Sequence, residues 1–153
     1  MPNWVKCEIT AKKLCSYDIF NKEGELDFNK IIPQPKCIEE CPEKYLISEA
    51  ERGKAKIEIL EDRPWFNWYD WNWDNWDTKW NAQDTYKLNK DSICFETAWC
   101  PPLKIMEALS KKLSGKMIKF HFVNEDYDGD HYVLYKNGKI VAEKDVVDKN
   151  YWD

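Results

Sequence analysis

The sequence predicts an α+β fold: a split βαβ unit with an antiparallel sheet, helices on one face, and an extra C-terminal hairpin. Three observations predict it. Apolar patterns along the chain read β, α, β, β, α, β. Two pairs of strand-like runs are joined by short polar turns, one of them Asn-Gly. And 153 residues, 43% hydrophobic and 33% charged, suit one domain (1–153) with a core rather than a disordered chain.

The elements follow in order. Trp4-Val5-Lys6-Cys7-Glu8-Ile9-Thr10 alternates apolar and polar, which predicts the first strand. Asn21-Lys22-Glu23-Gly24 is a turn signal, and Pro33 and Pro35 force an extended or irregular path. Pro42 suits the first turn of a helix running through Leu46, Ile47 and Ala50. Lys54–Leu60 fits either more helix or a short strand. Asp84–Leu88 and Ile93–Trp99 around Asn89-Lys90-Asp91-Ser92 form a hairpin pattern. Pro101-Pro102 opens a helix with Ile105, Leu109 and Leu113 at i, i+4 and i+8, closed by Gly115. Lys116–Val123 alternates again. Tyr132–Tyr135 and Ile140–Ala142 flank Asn137-Gly138, the strongest short hairpin signal.

Residues 61–83 break the pattern. Five of the nine Trp lie between Trp68 and Trp80, mixed with Asn and Asp. Neither the helical nor the strand period fits throughout, so the segment reads as a Trp-rich loop or insertion held by aromatic packing.

Composition removes several function classes. The charge is −5, from 23 bases and 28 acids, with no basic stripe of the kind duplex DNA requires. No apolar run approaches the ~18 residues of a membrane span, and the first residues hold no apolar signal core. A soluble, cytoplasmic protein with no membrane partner is the expectation. Six Cys then read as reduced thiols. Cys37 and Cys41 have the spacing of half a zinc site, but a second pair of ligands is not visible. Cys7 and Cys94 read as small buried hydrophobes. Glu125, Asp126, Asp128 and Asp130 read as a solvated turn without the distal Glu of a calcium loop. No phosphate-cradling Gly-rich loop or hydrolase elbow is present, and no cofactor is expected.

Four strings resemble those of the YubB-type ferredoxin-like family of plasmid- and phage-borne proteins. They are Met1-Pro2-Asn3-Trp4, Phe28-Asn29-Lys30-Ile31-Ile32-Pro33-Gln34-Pro35, Asn75-Trp76-Asp77-Thr78-Lys79-Trp80-Asn81-Ala82 and Phe95-Glu96-Thr97-Ala98-Trp99-Cys100-Pro101-Pro102. They recur in family order over most of the chain. Family members usually have Gly where Asp77 stands, Ser where Cys100 stands, and Asp where Glu96 stands. The resemblance implies a ferredoxin-like fold and a mobile-element origin. It transfers no catalytic residues.

Three functions follow as expectations. The first is a non-enzymatic binding protein of a phage or other mobile element that counters host defence by sequestering a nucleotide-derived signal. Indole faces would stack a base, Lys79 would contact phosphate as a point charge, and amides would read edges. The residues are Asn75, Trp76, Thr78, Lys79, Trp80, Asn81 and Trp99. The second is an acidic inhibitor docking on a host defence protein, such as a CRISPR nuclease, through Trp65, Trp68, Asp70, Trp71, Trp73 and Asp74. The third is a nucleotide-degrading enzyme. An unpaired sheet edge leaves a homodimer open without specifying one.

Overall fold

The computed structural model describes residues 3–36, 40–45 and 67–146. Six strands and two α-helices follow: β1 (Trp4–Thr10), α1 (Trp68–Trp76), β2 (Gln83–Asn89), β3 (Ser92–Ala98), α2 (Leu103–Lys112), β4 (Ile118–Val123), β5 (Asp130–Lys136) and β6 (Lys139–Val146). Short 3-10 turns occur at Leu14–Ser16, Phe28–Lys30 and Glu43–Tyr45.

The sheet order is β2-β3-β1-β4-β5-β6, and every neighbouring pair is antiparallel. The first four strands have the order of a ferredoxin-like unit, with β1 between β3 and β4. The β5–β6 hairpin extends that sheet from β4.

Register decides the two faces. Cys7 pairs with Phe95 and Ile9 with Ile93 on one side of β1. The same residues pair with Phe122 and Phe120 on the other. This row joins the core with Ile105, Met106 and Leu109 of α2 and Leu113 just beyond it. Because side chains alternate, Lys6, Glu8, Cys94 and Glu96 fall on the opposite face. Cys94 is therefore half-buried on the open face, not in the core as its neighbours in sequence suggest.

Two local devices fix α2. Asp77 accepts the backbone N–H of Lys104 at 3.0 Å, so a carboxylate sits at the helix N-terminus where the dipole favours it. At the other end Asn137 (φ 53°) and Gly138 (φ 83°) form the mirror-image turn of the β5–β6 hairpin. Gly138 N–H donates to the Ser110 hydroxyl at 2.7 Å. Gly115 N–H donates to Asn137 Oδ1 at 2.8 Å. The hairpin tip is thus tied to the end of α2.

Within the expected Trp-rich loop or insertion over 61–83, residues 68–76 are helical and not loop, while 61–66 lie outside the described residues. Asn67 caps the start by accepting the Asp70 N–H at 3.2 Å. Asp77, at φ 61°, ends it. Positions 68, 71, 72, 75 and 76 do form a helical stripe, but it reads Trp, Trp, Asn, Asn, Trp. The two Asn hide the apolar period. They are admitted because their amides are hydrogen-bonded.

Other differences are smaller. Trp99 lies outside β3, at φ 73°, a left-handed conformation uncommon for a bulky residue. Its N–H donates to Asn3 O at 2.7 Å. β4 begins at Ile118, two residues after the expected start. Of the helix expected from Pro42, residues 43–45 form a 3-10 turn, and 46–50 lie outside the described residues, as do Lys54–Leu60 and Cys37.

Candidate functional site

The Trp-rich segment divides between core and surface. Trp76 is 1% exposed. Its ring meets Phe28 at 5.6 Å and Trp71 at 5.4 Å, both edge-to-face. Its indole N–H donates to Ile32 O at 2.9 Å. Trp71 is buried beside it. Thr78 is buried and donates to Ala98 O at 2.8 Å. Trp76 and Thr78 were expected to meet a ligand and Trp71 a partner. The structure buries all three: Trp71 and Trp76 pack edge-to-face, where each indole gains from burial, and Thr78 is bonded to the end of β3.

Amides knit the surrounding loops. Asn81 Oδ1 accepts the N–H groups of Phe28 at 2.8 Å and Ala82 at 2.9 Å. Its Nδ2 donates to Asp27 at 2.8 Å. Asn75 Nδ2 donates to Trp71 O at 3.0 Å and to the Tyr45 hydroxyl at 3.1 Å. Buried Asn72 donates to Lys79 O at 2.8 Å and accepts from Gln34 Nε2. Gln34 N–H in turn donates to Asn29 Oδ1 at 3.0 Å.

These contacts frame a groove of ≈390 Å³. Indoles come from Trp68, Trp80 and, at its floor, Trp76. Amides come from Asn29, Gln34, Asn72 and Asn81. Among the described residues no charged side chain lines it. Lys79 lies with its ammonium 4.5 Å from the centre of the Trp80 ring, and Trp80 tilts against Trp4 at 6.2 Å. Asn29, Gln34 and Asn72 were missed in the sequence. Their only signal was proximity of two motif strings far apart along the chain.

Trp99, 44% exposed, lies elsewhere. It lines a separate concavity of ≈370 Å³ with Asn124, Glu125 and Asp128. The expected ligand set is thus divided between two places.

The expected partner surface is partly displayed. Trp65 lies outside the described residues. Trp68 and Tyr69 are 44% and 45% exposed and touch edge-to-face at 6.0 Å. Trp73 is half-buried, with its ring 6.2 Å from Tyr69. Asp70 is exposed and accepts from Asn67 at 2.7 Å. The Tyr45 hydroxyl donates to Asp74 at 2.8 Å and holds that carboxyl below its ordinary range.

The open sheet face forms another concavity, ≈460 Å³, which the sequence did not flag. Lys6, Glu8, Asp84 and Glu96 line it with Tyr86 and His121. Burial pushes the Glu96 carboxyl up, and a hydrogen bond with Asp84 adds to this. His121 stacks on Tyr132 at 4.4 Å and bonds Asp130 at 2.8 Å. Period-2 alternation of β1, β3 and β4 is the signal that would have gathered these residues. Burial raises the Cys94 thiol, which works against nucleophilic use. Within the acidic run at 125–130, Asp128 bonds His131 at 2.7 Å and Asp130 bonds His121 at 2.8 Å; Asp145 of β6 bonds His131 from the other side at 2.7 Å. Among the described residues no group of three or more His, Cys, Asp or Glu is placed to hold a metal ion.

Comparison with known proteins addresses the fold. Residues 75–150 match the family model described as the ferredoxin-like domain in Api92-like protein. The Api92-like match spans α2 and β2 through β6, so the ferredoxin-like part of the sequence reading is shown. The family reading is supported to that extent, as a ferredoxin-like domain similar to that of Api92-like proteins. A crystal structure of protein api92 from Yersinia pseudotuberculosis is similar at 16% identity, over 55% of this chain and 32% of that chain, with a TM-score of 0.45. The likeness thus spans about a third of that relative's length. No curated protein matches the chain. Among the described residues no helix is long and apolar enough to cross a membrane.

Proposed function

We propose that this chain is a non-enzymatic binding protein that sequesters a nucleotide-derived small molecule. The observation behind this reading is the groove in which Trp68 and Trp80 supply π-faces and Asn29, Gln34 and Asn81 supply donors and acceptors. A base stacked on such a face gains roughly 1–3 kcal/mol, and amides match base edges. Among the described residues no lining side chain of the groove titrates, which favours binding over hydrolysis, where a general acid or base is needed. The setting we propose is a phage or other mobile element countering host defence. It rests on the resemblance of the four strings to the YubB-type family.

The test is a thermal-shift screen with nucleosides and nucleotides, followed by recovery of the bound molecule after denaturation. Stabilisation with intact recovery is expected. Altered material in the recovered fraction would make the protein an enzyme, and the absence of any shift would end the reading. Trp80→Ala should weaken binding at least about fivefold, from the stacking loss.

A second reading, an acidic inhibitor docking on a host defence protein, is favoured by one observation. Trp68 and Tyr69 stand exposed on α1 beside exposed Asp70 and Asp74. Aromatic anchors among acids suit a basic protein surface. Trp68→Ala and Tyr69→Ala together should abolish pull-down of such a partner, while Tyr69→Ala alone leaves nucleoside binding intact.

A further inference from the structure

Resting on the nucleotide reading, we infer that the groove recognises an uncharged nucleobase and leaves phosphate outside, with Gln34 and Asn29 setting which edge it takes. Among the described residues the groove is lined by the indoles of Trp68 and Trp80, with buried Trp76 beneath them, and by four amides, and none of these side chains is ionised. A phosphate group needs cations or a cradle of backbone N–H groups to replace its hydration. Lys30 pairs with Asp18, and the motif cation Lys79 has its ammonium over the Trp80 ring. That ring, not a phosphate, already holds the charge.

The amide orientations are forced by backbone groups. The carbonyl of Lys79 only accepts, so Asn72 must turn its NH₂ toward it. Asn72 Oδ1 then faces Gln34, which must present its own NH₂. Gln34 Oε1 is left as an acceptor. Asn29 Oδ1 takes the backbone N–H of Gln34, so the Asn29 NH₂ is left as a donor. One hydrogen of the Asn81 NH₂ is engaged by Asp27, and the other remains. The groove therefore offers one fixed acceptor beside donors, under flat apolar faces. A nucleobase edge alternates donors and acceptors in the plane of a π-ring, and a phosphate has neither feature. Buried Asn72 is the positioning residue, because it orients Gln34 without itself offering a free group.

The experiment is isothermal titration of the full chain with adenosine and cytidine, each as nucleoside, monophosphate and triphosphate, at low and high salt. For the base that binds, the three forms should agree within about threefold, with little salt dependence. Affinity rising tenfold or more with each phosphate and collapsing in salt would overturn the inference while leaving the nucleotide reading standing. Binding of none of the six compounds would overturn both. Methyl β-glucoside competing as well as the nucleoside would overturn the base assignment, since indoles and amides also suit sugar faces. Asn29→Asp keeps the acceptor for Gln34 N–H and removes the donor, so it should weaken the nucleoside about tenfold at unchanged melting temperature. Lys79→Ala should change it less than threefold. The opposite pattern for these two variants would return recognition to the phosphate.

Discussion

Replacing Trp76 with alanine tests whether the Trp-rich segment is core or platform. The ring is 1% exposed and lies against Phe28 and Trp71. Removing a buried Trp costs about 3–5 kcal/mol, from lost transfer energy plus the residual cavity. Each edge-to-face partner adds roughly 0.5–1.5 kcal/mol beyond area, though these terms overlap. The Ile32 carbonyl, 2.9 Å from the indole nitrogen, also loses its donor. The expected loss is therefore at least ~4 kcal/mol, a large fraction of the ~5–15 kcal/mol typical of a domain. Urea unfolding followed by far-UV circular dichroism reads it as a fall in midpoint at similar slope. Trp76→Phe keeps most of the ring and loses the hydrogen bond, so it should cost ~1–3 kcal/mol. A Trp76→Ala protein within ~1 kcal/mol of the parent would refute the packing argument and return this indole to the surface.

Three further predictions follow from particular contacts. Burial pushes the His131 ring toward a lower pKa, but hydrogen bonds to Asp128 and Asp145 hold it above its ordinary 6.5. The resulting stability is complete below pH ~6.5 and is lost as pH rises through the raised folded-state value. It amounts to less than ~1 kcal/mol because both carboxylates face solvent. His131→Gln should flatten this slope in melting curves between pH 5.5 and 8.5, and an unchanged slope would count against the pair. Gly138→Ala places a side chain at φ 83° and drives its Cβ toward the Lys111 side chain. Lys111 is exposed and can move, so the backbone strain dominates, at roughly 1–2 kcal/mol by chemical denaturation. At Asp77, φ 61°, glycine would relieve the backbone but remove the acceptor of the Lys104 N–H. The two terms, each ~1 kcal/mol, should nearly cancel in Asp77→Gly and add in Asp77→Ala. Equal melting temperatures for these two variants would show that the strain term is absent.

Local chemistry made much of this fold readable from residues alone. β1 occupies the predicted Trp4–Thr10, and the Asn137-Gly138 turn sits where its dipeptide requires. Pro101-Pro102 and the i, i+4, i+8 stripe located α2, because an amphipathic helix writes its period into the chain. Helix α1 escaped, since two of the five stripe positions are Asn and the aromatics surround the rest. A polar residue in a buried stripe is legible only once its hydrogen-bond partners are known. Asn72 has its partners at Lys79 and Gln34, the latter 38 residues away.

What the sequence determined by itself was the alternation, the turns and the concentration of indoles between Trp68 and Trp80. Only tertiary structure decided which indoles face inward. The order β2-β3-β1-β4, with α1 packed beside α2, brings Phe28 and Ile32 over Trp76 and leaves Trp68 and Trp80 at a groove. The physical reason is that burial and hydrogen-bond satisfaction are properties of neighbours. The chain writes period and turn locally, whereas neighbours distant in sequence are assigned only when the sheet register is set.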